Sequence, residues 1–411
     1  MTTSSTVPYQ LTDTQIRTWY RAVLSLFFAS GLVVSALLTR LPDLATGLNL
    51  SSGPMGLLLL GMTAGSFCAV SFSGALVARF GAIRCIAAAY ATTVTGMALI
   101  GCGVYYMSVP MTLVGLSLQG LGSAASNVAS NVQGVANERA LGRYVTPIMH
   151  GFFSIGTVMG AALGALGTQL GLPFVAHMMS YAVVVAALVV FSLTRCQTEN
   201  YGQDDTKALE TLGAYKVRDA WRDKHTILIG LFVLGVALAE GSANDWVALA
   251  LTHDYGTSKT IGSLGYFTFV VAMMVGRFGG TALLNRYGRV LILRITCSLA
   301  IAGLSLFIFA PKVQVGFVGL LIWGLGASLG FPTGMSAASD DPMKAAVRVS
   351  VVSTIGYTAF LGGPPLLGLL GEHFGIRNGL IAVLIFVLLS LVLTSQLTPR
   401  KDRDELLAIR I

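Results

Sequence analysis

The chain carries twelve apolar stretches, each about as long as the roughly 20 residues a helix needs to cross a bilayer. They cover residues 20–46, 54–78, 82–106, 110–136, 145–170 and 173–194, then 226–252, 260–284, 290–310, 315–339, 347–371 and 376–397. Only 11% of the 411 residues are charged, against about 25% in soluble domains. Lipid must therefore replace water as the main solvent. The 48 glycines fit the same reading, because membrane helices pack closely through small residues. The expected class is an all-α integral membrane protein with twelve transmembrane helices.

One polar stretch interrupts the series. "RCQTENYGQDDTKALETLGAYKVRDAWRDK" (Arg195–Lys224) separates the sixth apolar run from the seventh. The chain divides into an N-terminal segment (1–19), a six-helix bundle (20–194), a linker (195–225), a second six-helix bundle (226–397) and a tail (398–411). If the N-terminus is cytoplasmic, all but five of the 26 basic residues fall on the cytoplasmic side; the exceptions are Arg40, Lys259, Arg277, Lys312 and Arg377. The positive-inside rule then places both termini and the linker of this multi-pass chain in the cytoplasm. The net charge of +8 is thus a topology signal. It is not the one-faced basic patch of a nucleic-acid binder.

Five cysteines (Cys68, Cys85, Cys102, Cys196 and Cys297) stand singly, with no paired motif and no histidine at ligand spacing. They support no disulfide framework, metal site or cofactor. The polar opening leads into an apolar run with no short cleavable signal, so that run is expected to be kept as a helix.

The two halves echo each other. "RFG" (Arg79–Gly81) returns as "RYG" (Arg286–Gly288), 207 residues later and again after an even-numbered span. "GLG" (Gly120–Gly122) returns as Gly324–Gly326, and Gly164, Gly167 and Gly171 return as Gly368, Gly371 and Gly375, both at an offset of 204. Three matches on equivalent spans point to two pseudo-symmetric six-helix bundles. That design belongs to transporters that bind substrate near the midplane between their halves.

Over nearly its whole length the sequence resembles the major facilitator superfamily. "GALVARFGAIR" (Gly74–Arg84) sits where that family carries its loop 2–3 motif, with Gly74, Leu76, Arg79 and Gly81 matching. Ala78 and Ala82 replace the family's aspartate and following arginine. The second copy, "TALLNRYGR" (Thr281–Arg289), keeps Arg286, Gly288 and Arg289, with Asn285 in the acidic place. "AEGSANDW", "GLGASLGFP", "SAASD" and "HGFFSIG" together resemble the bacterial MosC/YbjJ-like branch. That resemblance suggests a cyclitol-type solute, and "HGFFSIG" also resembles the fucose-permease type of sugar symporter. The family is mostly monomeric, and the same is expected here.

Residues with transport chemistry follow from depth and face. Glu240 lies about 21 Å along the seventh span and Asp245 about 7 Å further, at 1.5 Å per residue. They point about 140° apart, so they need not share a partner. A carboxylate in the membrane is functional by default. Lost hydration disfavours its charge and an arriving cation restores it, so both acids are proton-coupling candidates and Glu240 is the first choice.

The repeat offset puts Arg40 near the level of Asp245, which makes the two candidate partners, with Asp43 beside them. Arg277 calls for a carboxylate from a neighbouring span. Asn244 shares the face of Glu240; Asn127 and Asn131, four apart, share a face of the fourth span. Amides suit hydroxyl-rich solutes. Packing between helices would suit them equally. His150 titrates near neutral pH in ordinary surroundings. Trp246, Trp323, Tyr266, Tyr357 and Phe331 are candidates to stack on a ring. The substrate-binding set is thus Arg40, Asn127, Asn131, His150, Asn244, Trp246 and Tyr357. At the cytoplasmic ends, Arg79, Arg84, Glu138, Arg286, Arg289, Asp340 and Asp341 form a candidate inner gate.

These features describe a secondary transporter working by alternating access. Proton-coupled uptake of a small polar solute, such as a sugar or cyclitol, is the first reading. Proton-coupled export of drugs or metabolites is the alternative, weakened because antiporters of the superfamily it resembles usually carry Gly-Pro-x-x-Gly-Gly in the fifth span and "SIGTVMGAALGALG" there has no proline. An integral-membrane enzyme would need a motif such as HExxH, or GxSxG on a strand-to-helix turn; HExxH does not occur, and "GASLG" (Gly326–Gly330) lies inside the tenth apolar run, away from such a turn.

Overall fold

A computed structural model describes residues 11–141, 145–197, 217–341 and 344–398. Arg143, Lys207, Lys216, Arg400, Lys401, Arg403 and Arg410 lie outside the described residues. So do the first ten residues, linker residues 198–216 and the tail from 399 onward.

The N-terminal half comprises α1 (Asp13–Leu38), α2 (Leu41–Gly47), α3 (Ser52–Phe80), α4 (Ala82–Tyr105), α5 (Val109–Leu141), α6 (Thr146–Gln169) and α7 (Phe174–Leu193). The short α8 (Val217–Arg222) leads into the second half. There follow α9 (Lys224–His253), α10 (Lys259–Tyr287), α11 (Arg289–Phe309), α12 (Val313–Ala327), α13 (Gly330–Ala338), α14 (Ala345–Phe374), α15 (Ile376–Gly379) and α16 (Ile381–Leu393). Ten of the described helical segments are long and apolar enough to cross a membrane. The polar- and glycine-rich α5 and α14 complete the twelve positions.

Local sequence sets the ends of these helices. Thr12 and Gln15 form a reciprocal capping box at the start of α1, satisfying amides that have no partner within the helix. Two expected spans are broken where proline removes an amide donor. Pro42 opens α2 after a turn at Thr39–Arg40, and Pro332 lies just inside α13 after the break at Ser328–Leu329. The repeat shows in the backbone as well. Gly81 ends α3 at φ 83° and Gly288 ends α10 at φ 81°. Side chains rarely adopt that conformation, so each copy of the motif needs its glycine.

We call the side holding the start of α1 and the end of α16 the terminal face, and the opposite side the distal face. The halves are fastened together at the distal face. The Glu372 carboxylate of α14 accepts from the Gly53 amide of α3 at 2.9 Å. Lys259 of α10 lies 3.1 Å from Asp43 of α2. The Ser263 hydroxyl donates to the Thr39 carbonyl at 2.8 Å. Around Gly56 the α3 and α14 backbones come so close that a Cβ there would sit 2.4 Å from the Pro364 carbonyl oxygen.

The candidate gate at the terminal face pairs within halves. Arg289 makes a two-pronged contact to Asp340, at 2.8 and 2.9 Å, inside the C-terminal half. Glu138 accepts from the Val145 amide at 2.8 Å inside the N-terminal half. Asp341 approaches Lys344 at 3.9 Å. Arg79 and Arg286 rest on the neighbouring rings of Phe80 and Tyr287, at 5.3 and 5.2 Å, and Arg84 is exposed. In this distally fastened state the named contacts lie within halves, and the candidate inner gate, expected to close in the opposite state, is not engaged by them. The partners named here lie on the same or an adjoining element, while the inter-half bonds named above lie at the other end.

Candidate functional site

Between the halves lies a cavity of about 70 Å³. The N-terminal half contributes Val34 from α1 and Phe153, Ser154 and Thr157 from α6. The C-terminal half contributes Glu240 and Asn244 from α9, and Tyr266, Val270, Met273, Met274 and Arg277 from α10. Helical period explains both groups. Glu240 and Asn244 are four apart, and 266, 270, 273 and 277 follow one face of α10.

An ion pair sits at the centre. Arg277 Nη2 donates to Glu240 Oε1 at 3.0 Å, with 29% and 17% of the two side chains exposed. Arg277 Nε also reaches the Ser328 carbonyl at 3.4 Å. That carbonyl precedes Pro332 by four residues, so it has no helical donor of its own. The break in the tenth span thus supplies a positioning acceptor for the arginine. The geometry leaves Arg277 Nη1 and Glu240 Oε2 without hydrogen bonds among the described residues, and both can turn to a ligand.

Other polar groups converge on the same place. The Tyr266 hydroxyl is fully buried and has no partner among the described residues. A buried, unpaired hydroxyl costs about 1–3 kcal/mol, which makes Tyr266 a donor in wait. Ser154 and Thr157 spend their protons on carbonyls one turn back, those of His150 and Phe153. Their lone pairs remain as acceptors. His150 is exposed and its ring meets Phe27 edge-on at 5.1 Å. Tyr357, 38% exposed, lies between Phe331 and Phe360 with ring centroids 6.2 and 6.1 Å away. The Phe360 ring also packs against Gly241, next to Glu240.

A family profile described as "Major Facilitator Superfamily" matches residues 23–362 and 246–408. The chain belongs to the major facilitator superfamily. It is a membrane transporter rather than an enzyme. It is 29% identical over 364 residues to an uncharacterized MFS-type transporter of Yersinia pestis, covering 87% of this chain and 91% of the relative. It is 26% identical over 365 residues to membrane protein MosC of Rhizobium meliloti, covering 88% and 86%. Its fold matches the crystal structure of the nucleoside transporter NupG with a TM-score of 0.71 at 16% identity, over 92% of this chain and 98% of that one.

Within this superfamily transporter several sequence candidates lie elsewhere. Arg40 does not meet Asp245. It is 2% exposed, its Nε bonds Asp43, and its Nη2 donates to the Leu172 carbonyl at 2.9 Å. The turn that ends α1 brings Asp43 three residues away onto the guanidinium, so the local acid wins over the distant one. Asp245 is 9% exposed and forms no ion pair or hydrogen bond among the described residues. It shares its face of α9 with Leu238 and Gly241, which pack on Gly363 and Phe360 of α14.

Trp246 is fully buried in the core. Two residues beyond Asn244, it points about 200° away from the cavity. Trp323 is buried between Phe269 and Phe307, at 5.4 and 6.1 Å. Asn131 bonds the Asn127 side chain at 3.1 Å, and neither lines the cavity. Sequence reasoning passed over Ser154 and Thr157, although both lie in or beside "HGFFSIG". It also passed over the distal fasteners Glu372 and Ser263, whose partners are hundreds of residues away.

Proposed function

We propose that this transporter works by alternating access and couples proton movement to uptake of a small polar organic solute of the sugar or cyclitol kind. The observation that carries the reading is the Glu240–Arg277 pair, facing a cavity built from both halves. Rocking the halves about that cavity would expose it to either side in turn. The pair supplies a fork of donors and a carboxylate acceptor, and Asn244 and Tyr266 add directional bonds suited to hydroxyl groups. A proton arriving on Glu240 would release Arg277 to bind solute, which ties proton to cargo. With the terminal face in the cytoplasm, as the basic residues indicate, fastening at the distal face corresponds to a state closed to the outside. The chain acts as a monomer in this reading.

The test has two stages. A thermal-shift screen of the purified protein would use hexoses, deoxysugars, inositols, amino acids, nucleosides and lipophilic cations, since a ligand that binds the folded state raises its apparent stability. Stabilisation by lipophilic cations alone would favour an exporter. Proteoliposomes loaded with the stabilising solute then compare Glu240→Gln with the natural protein. The variant should lose uphill uptake yet keep solute exchange. Full uphill uptake by Glu240→Gln would rule out coupling through that residue.

A further inference from the structure

A larger cavity, of about 600 Å³, lies away from the transport site, at the terminal face between the first turns of α1 and the end of α5. One wall is apolar, formed by Ile16, Tyr20 and Leu24, four residues apart along α1, with Leu141 opposite. Arg17 and Arg21, also four apart, line the adjoining edge, and both are exposed. Neither guanidinium is engaged in an ion pair or hydrogen bond among the described residues. Asp13 is the one acid in the lining, so the cavity carries an excess positive charge.

Depth gives the arrangement its meaning. The 26 residues of α1 rise about 39 Å at 1.5 Å per residue, beyond the roughly 30 Å of a hydrocarbon core. Its first turn therefore stands in the headgroup layer, the long side chains of Arg17 and Arg21 can reach up to it, and Leu24 lies in the acyl region. Below Arg21 the lining of α1 is apolar and ends at Leu24.

We infer that this cavity is a binding site for an anionic phospholipid. Arg17 and Arg21 hold the phosphate, and the upper acyl chain lies along Tyr20 and Leu24. Guanidinium groups suit the task because they bond phosphate oxygens in pairs. Arg79 and Arg84 provide the contrast, since they are exposed at the same face but line no part of this cavity.

The full chain in detergent would be mixed with equal amounts of phosphatidylglycerol and phosphatidylcholine, and retained lipid read by native mass spectrometry. The natural protein should keep phosphatidylglycerol in preference. Arg17→Gln with Arg21→Gln should weaken that retention about 30-fold, the equivalent of about 2 kcal/mol at roughly 1 kcal/mol per basic residue near an anionic surface. Arg79→Gln with Arg84→Gln should leave it unchanged, and circular dichroism would confirm that both double variants are folded. Equal retention of the two lipids, or equal loss in the two variants, would overturn the assignment. Displacement of the lipid by soluble glycerol phosphate would overturn it too, because the site would then recognise phosphate alone.

Discussion

Replacing Gly56 with alanine should shift the protein away from the distally closed state. A Cβ at this position would lie 2.4 Å from the Pro364 carbonyl oxygen and 3.0 Å from the Gly368 Cα. Both are backbone atoms of the opposite half, so neither can swing aside as a side chain would. Overpacking of this kind costs about 1–3 kcal/mol. The helix-propensity gain of alanine over glycine, about 1 kcal/mol, applies whichever way the halves tilt and so cancels. Opening the distal face removes the clash. The closed-to-open ratio should therefore fall by about 5- to 150-fold.

Spin labels at Leu172 and Lys312, distal positions on opposite halves, would report the separation in a background without the five native cysteines. Two controls fix the interpretation. Gly74→Ala, with nothing within 4 Å of the added carbon, should change nothing. Gly156→Ala, which meets the Phe28 carbonyl at 2.2 Å inside the N-terminal half, should lower the melting temperature without lengthening the distance. An unchanged distance distribution in Gly56→Ala would refute the view that the α3–α14 contact holds the distal side closed.

Two further outcomes follow from the charged clusters. Asp43→Asn should destabilise far more than Lys259→Ala, by about 3–5 kcal/mol against less than about 1. The first strips a buried arginine of its acid, whereas the lysine is 36% exposed; equal losses in thermal unfolding would show that Arg40 does not depend on Asp43. At the start of α9, burial pushes the Asp223 carboxyl up, but the Thr226 hydroxyl, Arg348 and the His225 amide outweigh it and hold the group below its usual range. Its stabilisation is therefore present above the ordinary aspartate value and lost as pH falls through the lowered one. The gap in melting temperature between the natural protein and Asp223→Asn should be open at neutral pH and close below about pH 4; a gap that persists in acid would contradict this.

Much of the architecture was written locally. Hydrophobic run length fixed the membrane spans, because a helix that crosses lipid must satisfy its backbone within one continuous apolar segment. The repeated glycine motifs marked the two halves, since the same turn in each copy demands the same permissive residue. Run length did not show the breaks inside the runs 20–46 and 315–339, which fall just before Pro42 and Pro332.

The partners of the charges were decided elsewhere. Depth and period put Glu240 near the middle of its span and Asn244 on the same face, but could not say which arginine each acid would meet. Tertiary packing gave Glu240 to Arg277, thirty-seven residues away, and left Asp245 buried with no ion pair among the described residues. Arg40 went to Asp43 because a turn at the end of α1 folds the guanidinium back on its own chain. The same limit hid the Glu372–Gly53 bond, which spans 319 residues. Periodicity acts within one helix, whereas an ion pair between helices depends on how whole helices tilt and rotate against each other, and that is settled only when both bundles have packed.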